Sequence, residues 1–179
     1  MKMYDLGLVI GRFQMFHLGH KYIIDNALNL CNRVVIYIGS SQESGTEKNP
    51  FSYETRAGMI EQCYPVETKI GSIIIRPLPD AKLGNNTNWG KYVLNTFSKE
   101  FYKQPDLYIT GCEKERPSWF CEADAPKMNE LRISRANITI SATECRNDLI
   151  QNEIDSWKQK VPYQLHGKAD FYKRILLKY

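Results

Sequence analysis

The sequence has little of what marks secreted, membrane-spanning or nucleic-acid-binding proteins. Its 179 residues contain no apolar run longer than a strand, which argues against a signal peptide or a membrane-spanning helix and favours a cytoplasmic protein. Lys and Arg number 24 against 20 Asp and Glu, and no dense basic block indicates a nucleic-acid partner. A net positive charge this small is as compatible with a small anionic substrate as with a nucleic-acid partner.

Cysteine is present, but not in a pattern that indicates a metal site or a disulfide framework. The five cysteines are odd in number, and no two of them form a C-x-x-C pair. Reduced thiols are therefore the expected state. The spacing of Cys112, Cys121 and His166 disfavours a zinc site built from these three residues.

Length and composition predict a single domain. A chain of 179 residues with 42% hydrophobic and 25% charged residues can bury a stable core without disulfides or structural metal ions. We find no repeat, no low-complexity tract and no boundary of a second domain. We therefore predict one domain over residues 1–179, with a helical part from about residue 147.

Short apolar runs alternate with helical patterns, which predicts an α/β fold. Strands are expected at residues 6–10, 33–39, 73–75, 106–111 and 137–140. A helix should follow the first strand, with a stripe formed by Ile23, Ile24, Ala27, Leu28 and Cys31. A second helix should span about residues 53–64, with Ser52 as its cap. A third helix should begin at Trp89. We predict a doubly wound, Rossmann-like parallel sheet of five strands with helices on both faces, which binds ligands at the carboxyl ends of its strands.

The densest group of chemically active residues lies between the first strand and the first helix, in the stretch G-R-F-Q-M-F-H-L-G-H. Two of the three histidines of the chain, His17 and His20, are spaced so that their rings face one side of a helical turn. Arg12 adds positive charge, while Gly11 and Gly19 let a phosphate approach the backbone. We predict a phosphate-binding loop; the alternative is an ordinary glycine-containing turn.

A second group follows the predicted fifth strand and reads I-S-A-T-E-C-R. Ser141 and Thr143 can cap a helix whose free N–H groups point at phosphate, and Arg146 lies within its first turn. This pattern alone is weak, but together with the histidine loop it is specific.

These two segments resemble the H-x-G-H and I-S-x-T-x-x-R signatures of the nucleotidyltransferase superfamily. The G-R-F-Q opening is most similar to nicotinamide-mononucleotide (NMN) adenylyltransferases of the archaeal and bacterial type. Cytidylyltransferases and pantetheine-phosphate adenylyltransferases usually carry aspartate where this chain has Gln14. One departure is Met15, where the family usually has proline; it bears on the stiffness of the loop rather than on its chemistry.

Two looser segments carry the same resemblance. N-P-F-S-Y-E-T-R is similar to a family segment whose arginine, here Arg56, reaches nucleotide phosphates; an ordinary exposed helix surface is the alternative. The segment from Asp80 to Trp89 resembles the nicotinamide side of the site, where a tryptophan stacks on the pyridine ring; a core anchor is the alternative. G-C-E-K-E-R-P-S-W-F resembles a segment of a subgroup whose longer members carry a hydrolase domain downstream.

The resemblance implies transfer of AMP from ATP to NMN, giving NAD and pyrophosphate, with Mg²⁺ held through phosphates and not by side chains. It implies three catalytic residues, His17, His20 and Arg146. The implied ATP-binding residues are Gly11, Arg12, Phe13, His17, Gly19, His20, Gly111, Ser141, Thr143 and Arg146. The implied NMN-binding residues are Phe13, Gln14, Ser40, Arg56, Asp80 and Trp89. A homo-oligomer is expected.

Three alternatives stay open at this point. Another phosphorylated acceptor could replace NMN, although Gln14 and the segment from Asp80 to Trp89 favour NMN. Nicotinic acid mononucleotide differs from NMN only in carrying a carboxylate in place of the amide. A module that senses nucleotides without converting them is disfavoured by the histidine pair and Arg146, because simple binding needs fewer charges.

Overall fold

The computed structural model of the protein describes residues 1–81, 86–111, 119–120, 123–134 and 139–179. A single sheet has the strand order β3-β2-β1-β4-β5, and every neighbouring pair is parallel. The strands are β1 (Tyr4–Gly11), β2 (Cys31–Gly39), β3 (Ile73–Leu78), β4 (Leu107–Thr110) and β5 (Asn129–Arg132). The predicted five-stranded parallel sheet is confirmed.

Helices cover both faces of this sheet. They are α1 (Leu18–Leu30), α2 (Tyr53–Cys63), α3 (Pro65–Lys69), α4 (Asn86–Phe101), α5 (Ala142–Ile150), α6 (Ile154–Lys160) and α7 (Ala169–Leu176), with a 3-10 helix at Tyr163–Lys168. In β2, Ile36 and Ile38 enter a core shared with α1, α2 and the C-terminal helices, whereas Val35 and Tyr37 enter a second core with α4. This alternation with period two buries both faces of the strand, as in other doubly wound sheets.

The strand order places a topological switch point between β1 and β4. The chain moves outward from β1 through β2 to β3, and then crosses α4 to return on the other side of β1. Connections on the two sides diverge there, which leaves a crevice at the carboxyl ends of the strands. Gly11 ends β1 at this edge and Gly111 follows β4, so both of these predicted ATP-binding residues lie at the expected binding edge.

The predicted fifth strand was wrong. β5 is Asn129–Arg132, a short strand whose side chains are mostly exposed at the edge of the sheet. It lacks the apolar pattern that we used to predict strands, because an exposed edge strand needs little apolar surface. Thr139 and Ile140 have no regular structure and lead into the cap of α5; residues 137 and 138 lie outside the described residues.

Three further boundaries differ from the prediction. Cys31 begins β2 instead of ending the stripe of α1, and its thiol packs on Gly7, where a Cβ atom would lie 2.6 Å from Cys31 Sγ. β3 continues through Pro77, which pairs in register with Ile38. Proline is tolerated there because β3 is an edge strand. α4 also begins at Asn86, one turn before Trp89.

Other predicted features are confirmed. Ser52 caps α2 by accepting a hydrogen bond from the amide of Thr55. The C-terminal part is helical and is interrupted at Pro162. None of the helices in the described ranges is long and apolar enough to cross a membrane.

Buried thiols yield a chemical prediction. Cys63 and Cys145 are free and buried, and burial raises the pKa of each thiol to about 12. Because only the thiolate is nucleophilic, we expect both residues to resist iodoacetamide at pH 8 in the native protein and to react after denaturation, as measured by mass mapping. Rapid native labelling of either residue would contradict this. Cys112 and Cys121 lie outside the described residues.

Candidate active site

The histidine loop connects β1 to α1 at the switch point. His17 is the N-cap of α1 and has extended backbone angles (φ −141°, ψ 171°). Its Nδ1 atom accepts a hydrogen bond from the amide of Gly19 at 3.1 Å. Since Nδ1 is the acceptor, the proton of the neutral ring lies on Nε2, which is the nitrogen that can donate to an anion.

The two imidazoles of the loop form a stack. The ring centroids of His17 and His20 are 3.7 Å apart and their planes differ by 25°. Phe13 and Phe16 lie behind the stack, with centroids 4.8 and 5.8 Å from that of His20. The aromatic contacts fix the orientation of both imidazoles, so the donors of the loop are held in place by packing.

Phe13 also explains one of the glycines. Its ring is only 2% exposed, and a Cβ atom at Gly11 would lie 2.9 Å from Phe13 Cζ. Gly11 is therefore required so that this ring can pack under the end of β1. Close approach of a phosphate at Gly11, the reason suggested by the sequence, stays a prediction.

The second signature forms the N-terminus of α5 through a capping box. Ser141 Oγ accepts from the amide of Glu144 at 3.2 Å, while Glu144 Oε2 accepts from the amide and the hydroxyl of Ser141 at 2.8 and 2.7 Å. These hydrogen bonds lower the pKa of Glu144, and electrostatic interactions with Lys160 and then His17 lower it further. Glu144 is therefore within electrostatic range of His17. Sequence reasoning did not single it out, although S-x-x-E was visible as a capping signal.

Arg146 joins the two signatures. Its Nη1 atom donates to the backbone carbonyl of Gln14, and Nη2 donates to Thr143 Oγ1 at 3.4 Å. Burial lowers the pKa of Arg146, and the positive charge of Arg12 lowers it further. Two guanidinium groups therefore lie within electrostatic range of each other beside the histidine loop, an arrangement that an anion stabilises.

Arg56 does not lie on an exposed helix surface, which was the alternative to a phosphate contact. The side chain is fully buried. It donates to the carbonyls of Arg12 and Gly39 at 2.9 and 2.8 Å, and to those of Ser40 and Ser52 at 3.1 and 3.2 Å. Arg56 ties the end of β2 to the residue after β1, and four of its five N–H groups bind the backbone.

Gln14 is likewise occupied by the backbone. Its Nε2 atom donates to the carbonyl of Phe51, and its Oε1 atom accepts from the amide of Phe51, both at 2.9 Å. The side chain is 4% exposed. It fastens the histidine loop to the N-P-F segment before α2. In this geometry Gln14 and Arg56 both bind the backbone and shape the loop, and the contact with NMN expected for them stays a prediction.

The remaining predicted acceptor residues lie at the ends of β2 and β3. Ser40 follows β2 in a left-handed conformation (φ 48°) and is mostly buried. Asp80 is exposed; its amide donates to Gln42 Oε1 at 2.9 Å. Trp89 is half-buried, and its ring centroid lies 4.3 Å from that of Trp119. Sequence reasoning covered Trp119 only as part of the segment G-C-E-K-E-R-P-S-W-F and did not connect it with Trp89.

Side chains do not form a metal cluster in the part of the chain that the structure describes: no group of three His, Cys, Asp or Glu residues there is placed to hold an ion. The described groups that converge at the loop are imidazoles, guanidinium groups and helix N-termini. Such groups suit phosphate oxygens.

Comparison with known proteins agrees with this geometry. Residues 8–77 match the family described as Cytidylyltransferase-like. The nicotinamide-nucleotide adenylyltransferase of Thermococcus kodakarensis is 31% identical over 173 residues, which cover 94% of this chain and 82% of that protein. A shorter match to the nicotinamide-nucleotide adenylyltransferase of Saccharolobus solfataricus is 41% identical over 96 residues and covers 53% of this chain and 54% of that protein.

Solved structures are similar over nearly the whole chain. A bifunctional NMN adenylyltransferase/ADP ribose pyrophosphatase from Francisella tularensis has a TM-score of 0.76 at 26% identity, covering 98% of this chain and 53% of that chain. The same protein complexed with AMP and a manganese ion has a TM-score of 0.73 at 25% identity. This chain thus spans about half the length of those bifunctional chains. Because it is 31% identical to the Thermococcus protein over 94% of its own length and 82% of that protein, the chain belongs to the nicotinamide-nucleotide adenylyltransferase family.

Proposed function

We propose that this chain transfers AMP from ATP to NMN, giving NAD and pyrophosphate. The contact between Arg146 and the backbone of Gln14 carries the proposal, because it brings the N-terminus of α5 to the histidine stack at the N-terminus of α1. Two helix N-termini, two imidazoles and a guanidinium group around one point suit a triphosphate. Relatives named nicotinamide-nucleotide adenylyltransferase support the choice of NMN as the acceptor.

The reaction needs positioning more than acid–base chemistry. A phosphate oxygen of NMN attacks the α-phosphorus of ATP, a new P–O bond forms, and the bond from the α-phosphorus to the oxygen bridging to the β-phosphorus breaks. Pyrophosphate leaves with the electron pair of that bond. The NMN phosphate is already ionised at neutral pH, so no general base or covalent nucleophile is required. The chain contributes orientation and charge neutralisation.

We assign the roles accordingly. His17 and His20 bind the phosphates of ATP, with His20 nearest the transferred phosphorus, and Arg146 holds the β- and γ-phosphates. Arg12 neutralises phosphate on one of the two substrates. The surrounding ATP-binding set is Gly11, Phe13, Gly19, Gly111, Ser141 and Thr143. Ser40, Asp80 and Trp89 bind NMN.

A divalent ion enters this scheme with ATP as Mg–ATP. Mg²⁺ takes oxygen ligands, and the positively charged side chains described above match phosphate oxygens instead of the ion itself. Phosphate oxygens and water would hold Mg²⁺, and the ion would neutralise charge on the departing pyrophosphate. A single nucleotidyltransferase domain over residues 1–179 is part of the proposal. Self-association and a cytoplasmic location stay predictions from the sequence.

Substitution of Trp89 should separate the two substrates. We expect Trp89→Ala to raise the KM for NMN about tenfold, because loss of a stacked indole removes roughly 1–2 kcal/mol of attraction for a pyridinium ring, and to leave the KM for ATP nearly unchanged. Steady-state kinetics with each substrate varied in turn give both constants. Equal effects on the two substrates, or loss of folding, would favour a core role for Trp89.

The decisive experiment is incubation of the purified chain with ATP, Mg²⁺ and NMN, followed by detection of NAD and pyrophosphate in equal amounts. Reactions without NMN or without ATP are the controls. A panel with nicotinic acid mononucleotide and other phosphorylated acceptors identifies the preferred acceptor. If ATP binds in a calorimeter but no NAD or pyrophosphate forms, the transferase proposal is wrong and a nucleotide-sensing module is supported.

A further inference from the structure

Two helices of the C-terminal part are attached to the histidine loop at adjacent residues. Arg146 of α5 donates to the carbonyl of Gln14. Trp157 of α6 donates from its indole Nε1 atom to Met15 Sδ at 3.1 Å. Met15 lies two residues before His17, so both attachments stand directly in front of the imidazole stack. The loop is therefore held at one point by α5 and at the next residue by α6.

The contact between Trp157 and Met15 is sealed from water. Both residues have 0% exposure. An indole N–H group is a donor only, and a buried donor that loses its acceptor is costly. The thioether sulfur of Met15 meets this need. Methionine is flexible by itself, so the rigid indole is what selects one position for Met15.

A second set of contacts fixes α6 against α5. Asp148 lies two residues after Arg146 and accepts from Ser156 Oγ at 3.0 Å and from Lys160 Nζ at 2.7 Å. The side chain of Asp148 is only 14% exposed, so solvent screens the ion pair little. Ser156 is the residue before Trp157. The guanidinium group and the indole thus lie on two helices that cannot shift separately without breaking these contacts.

These contacts close on themselves, and we call the closed set the α5–α6 clamp. It runs from the carbonyl of Gln14 through Arg146 to Asp148, crosses to α6, and returns through Trp157 to Met15. Because Gln14 and Met15 are neighbours in the chain, the clamp sets how far the histidine loop lies from the guanidinium group.

We propose that Trp157 is a positioning residue for the transfer reaction, which holds the histidine loop through Met15 at the spacing from Arg146 that the transition state requires. The proposal rests on the transferase function proposed above. Bound triphosphate rotates about its P–O bonds and adapts to a shifted donor, whereas the attacking oxygen, the α-phosphorus and the leaving oxygen must lie in line during transfer. A shift of about 1 Å from a distant substitution can cost about a hundredfold in rate. Loss of the clamp therefore lowers kcat more than it weakens ATP binding.

The test uses two single variants and their combination. Trp157→Phe removes the N–H group and keeps an aromatic ring, while Met15→Leu removes the sulfur at nearly the same volume. We expect each to lower kcat about tenfold, to raise the KM for ATP no more than about threefold, and to leave the KM for NMN within about twofold. The double variant should lose no more than the larger single loss, because both substitutions break the same contact.

Tyr172→Phe is the matched control. Tyr172 is 1% exposed and belongs to the same core as Trp157, and its replacement also removes one polar group from a buried aromatic ring. It is not part of the clamp, so kcat should stay within about twofold of the wild type. Circular dichroism and thermal melting show that each variant is folded at the assay temperature. A role in packing alone would lower the melting temperature of Trp157→Phe and leave the kcat of the folded protein unchanged.

Failure of this inference is distinct from failure of the proposed function. If the wild type makes no NAD, the proposed function is wrong. If the wild type is active and the folded single variants keep kcat within about twofold, Trp157 does not position the loop. Losses that multiply in the double variant, or a rise in the KM for NMN as large as the fall in kcat, also overturn the inference. Should Trp157→Phe not fold, Met15→Leu decides by the same kcat and KM criteria.

Discussion

His20→Ala should lower the turnover of NAD formation about a hundredfold or more while the protein remains folded. The imidazole is held in its stack with His17 and Phe13, so it is a preorganised donor. Removing one such donor typically costs about 2.7–4 kcal/mol in the transition state, and each 1.36 kcal/mol is about a factor of ten in rate. Initial rates at saturating ATP and NMN measure the loss.

The third histidine of the chain provides the matched control. His166 Nε2 lies 3.1 and 3.3 Å from the carbonyls of Lys158 and Val161, in the C-terminal helical part. His166→Ala should keep nearly wild-type turnover, and thermal melting of both variants monitors folding. A His20→Ala protein that turns over at close to the wild-type rate would remove this residue from the mechanism.

Arg56→Lys should lower the melting temperature by about 6–12 °C. The guanidinium group is fully buried and binds four carbonyls, and a lysine ammonium cannot reach all of them from one position. Hydrogen bonds from a charged donor contribute about 1.5–3 kcal/mol each, so a loss of about 3 kcal/mol is expected. For a chain of this length each kcal/mol shifts the melting temperature by about 2–4 °C.

Arg174→Lys is the corresponding control on an exposed helix. Arg174 Nε contacts only the carbonyl of Asp170, at 3.4 Å, among the hydrogen bonds described for it, so its replacement should change the melting temperature by no more than about 2 °C. Differential scanning calorimetry compares the two variants with the wild type. If Arg56→Lys melts like the wild type and loses only NMN affinity, Arg56 contacts the substrate, as the family resemblance implies, and the role in joining β1 to β2 is wrong.

Local patterns were sufficient to predict most of the fold. Strands β1 to β4 were predicted from apolar runs such as V-V-I-Y-I in β2. The helix caps at Ser52 and Ser141 were visible as short polar side chains before a helical pattern. These signals are local because each strand that is buried on both faces must be apolar throughout. β5 was not predicted because an exposed edge strand need not be apolar throughout.

The site was only partly predictable, for a different reason. The residues at the loop were identifiable because histidines, glycines and arginines are concentrated in two short segments. Three contacts join residues that lie 17 to 37 positions apart in the chain: Gln14 with Phe51, Arg56 with Gly39, and Trp89 with Trp119. Nothing in the local sequence of a polar or aromatic residue tells whether its partner is a substrate or the backbone of a distant loop.

Pro77 in the outermost strand has a consequence for assembly. Proline has no N–H group to offer to an incoming strand, and the neighbouring Arg76 is exposed and pairs with Glu100 at 2.6 Å. An edge with a proline and a charge resists extension by a strand from another molecule. If copies of this protein associate, the sheet will therefore not run continuously from one subunit to the next at β3.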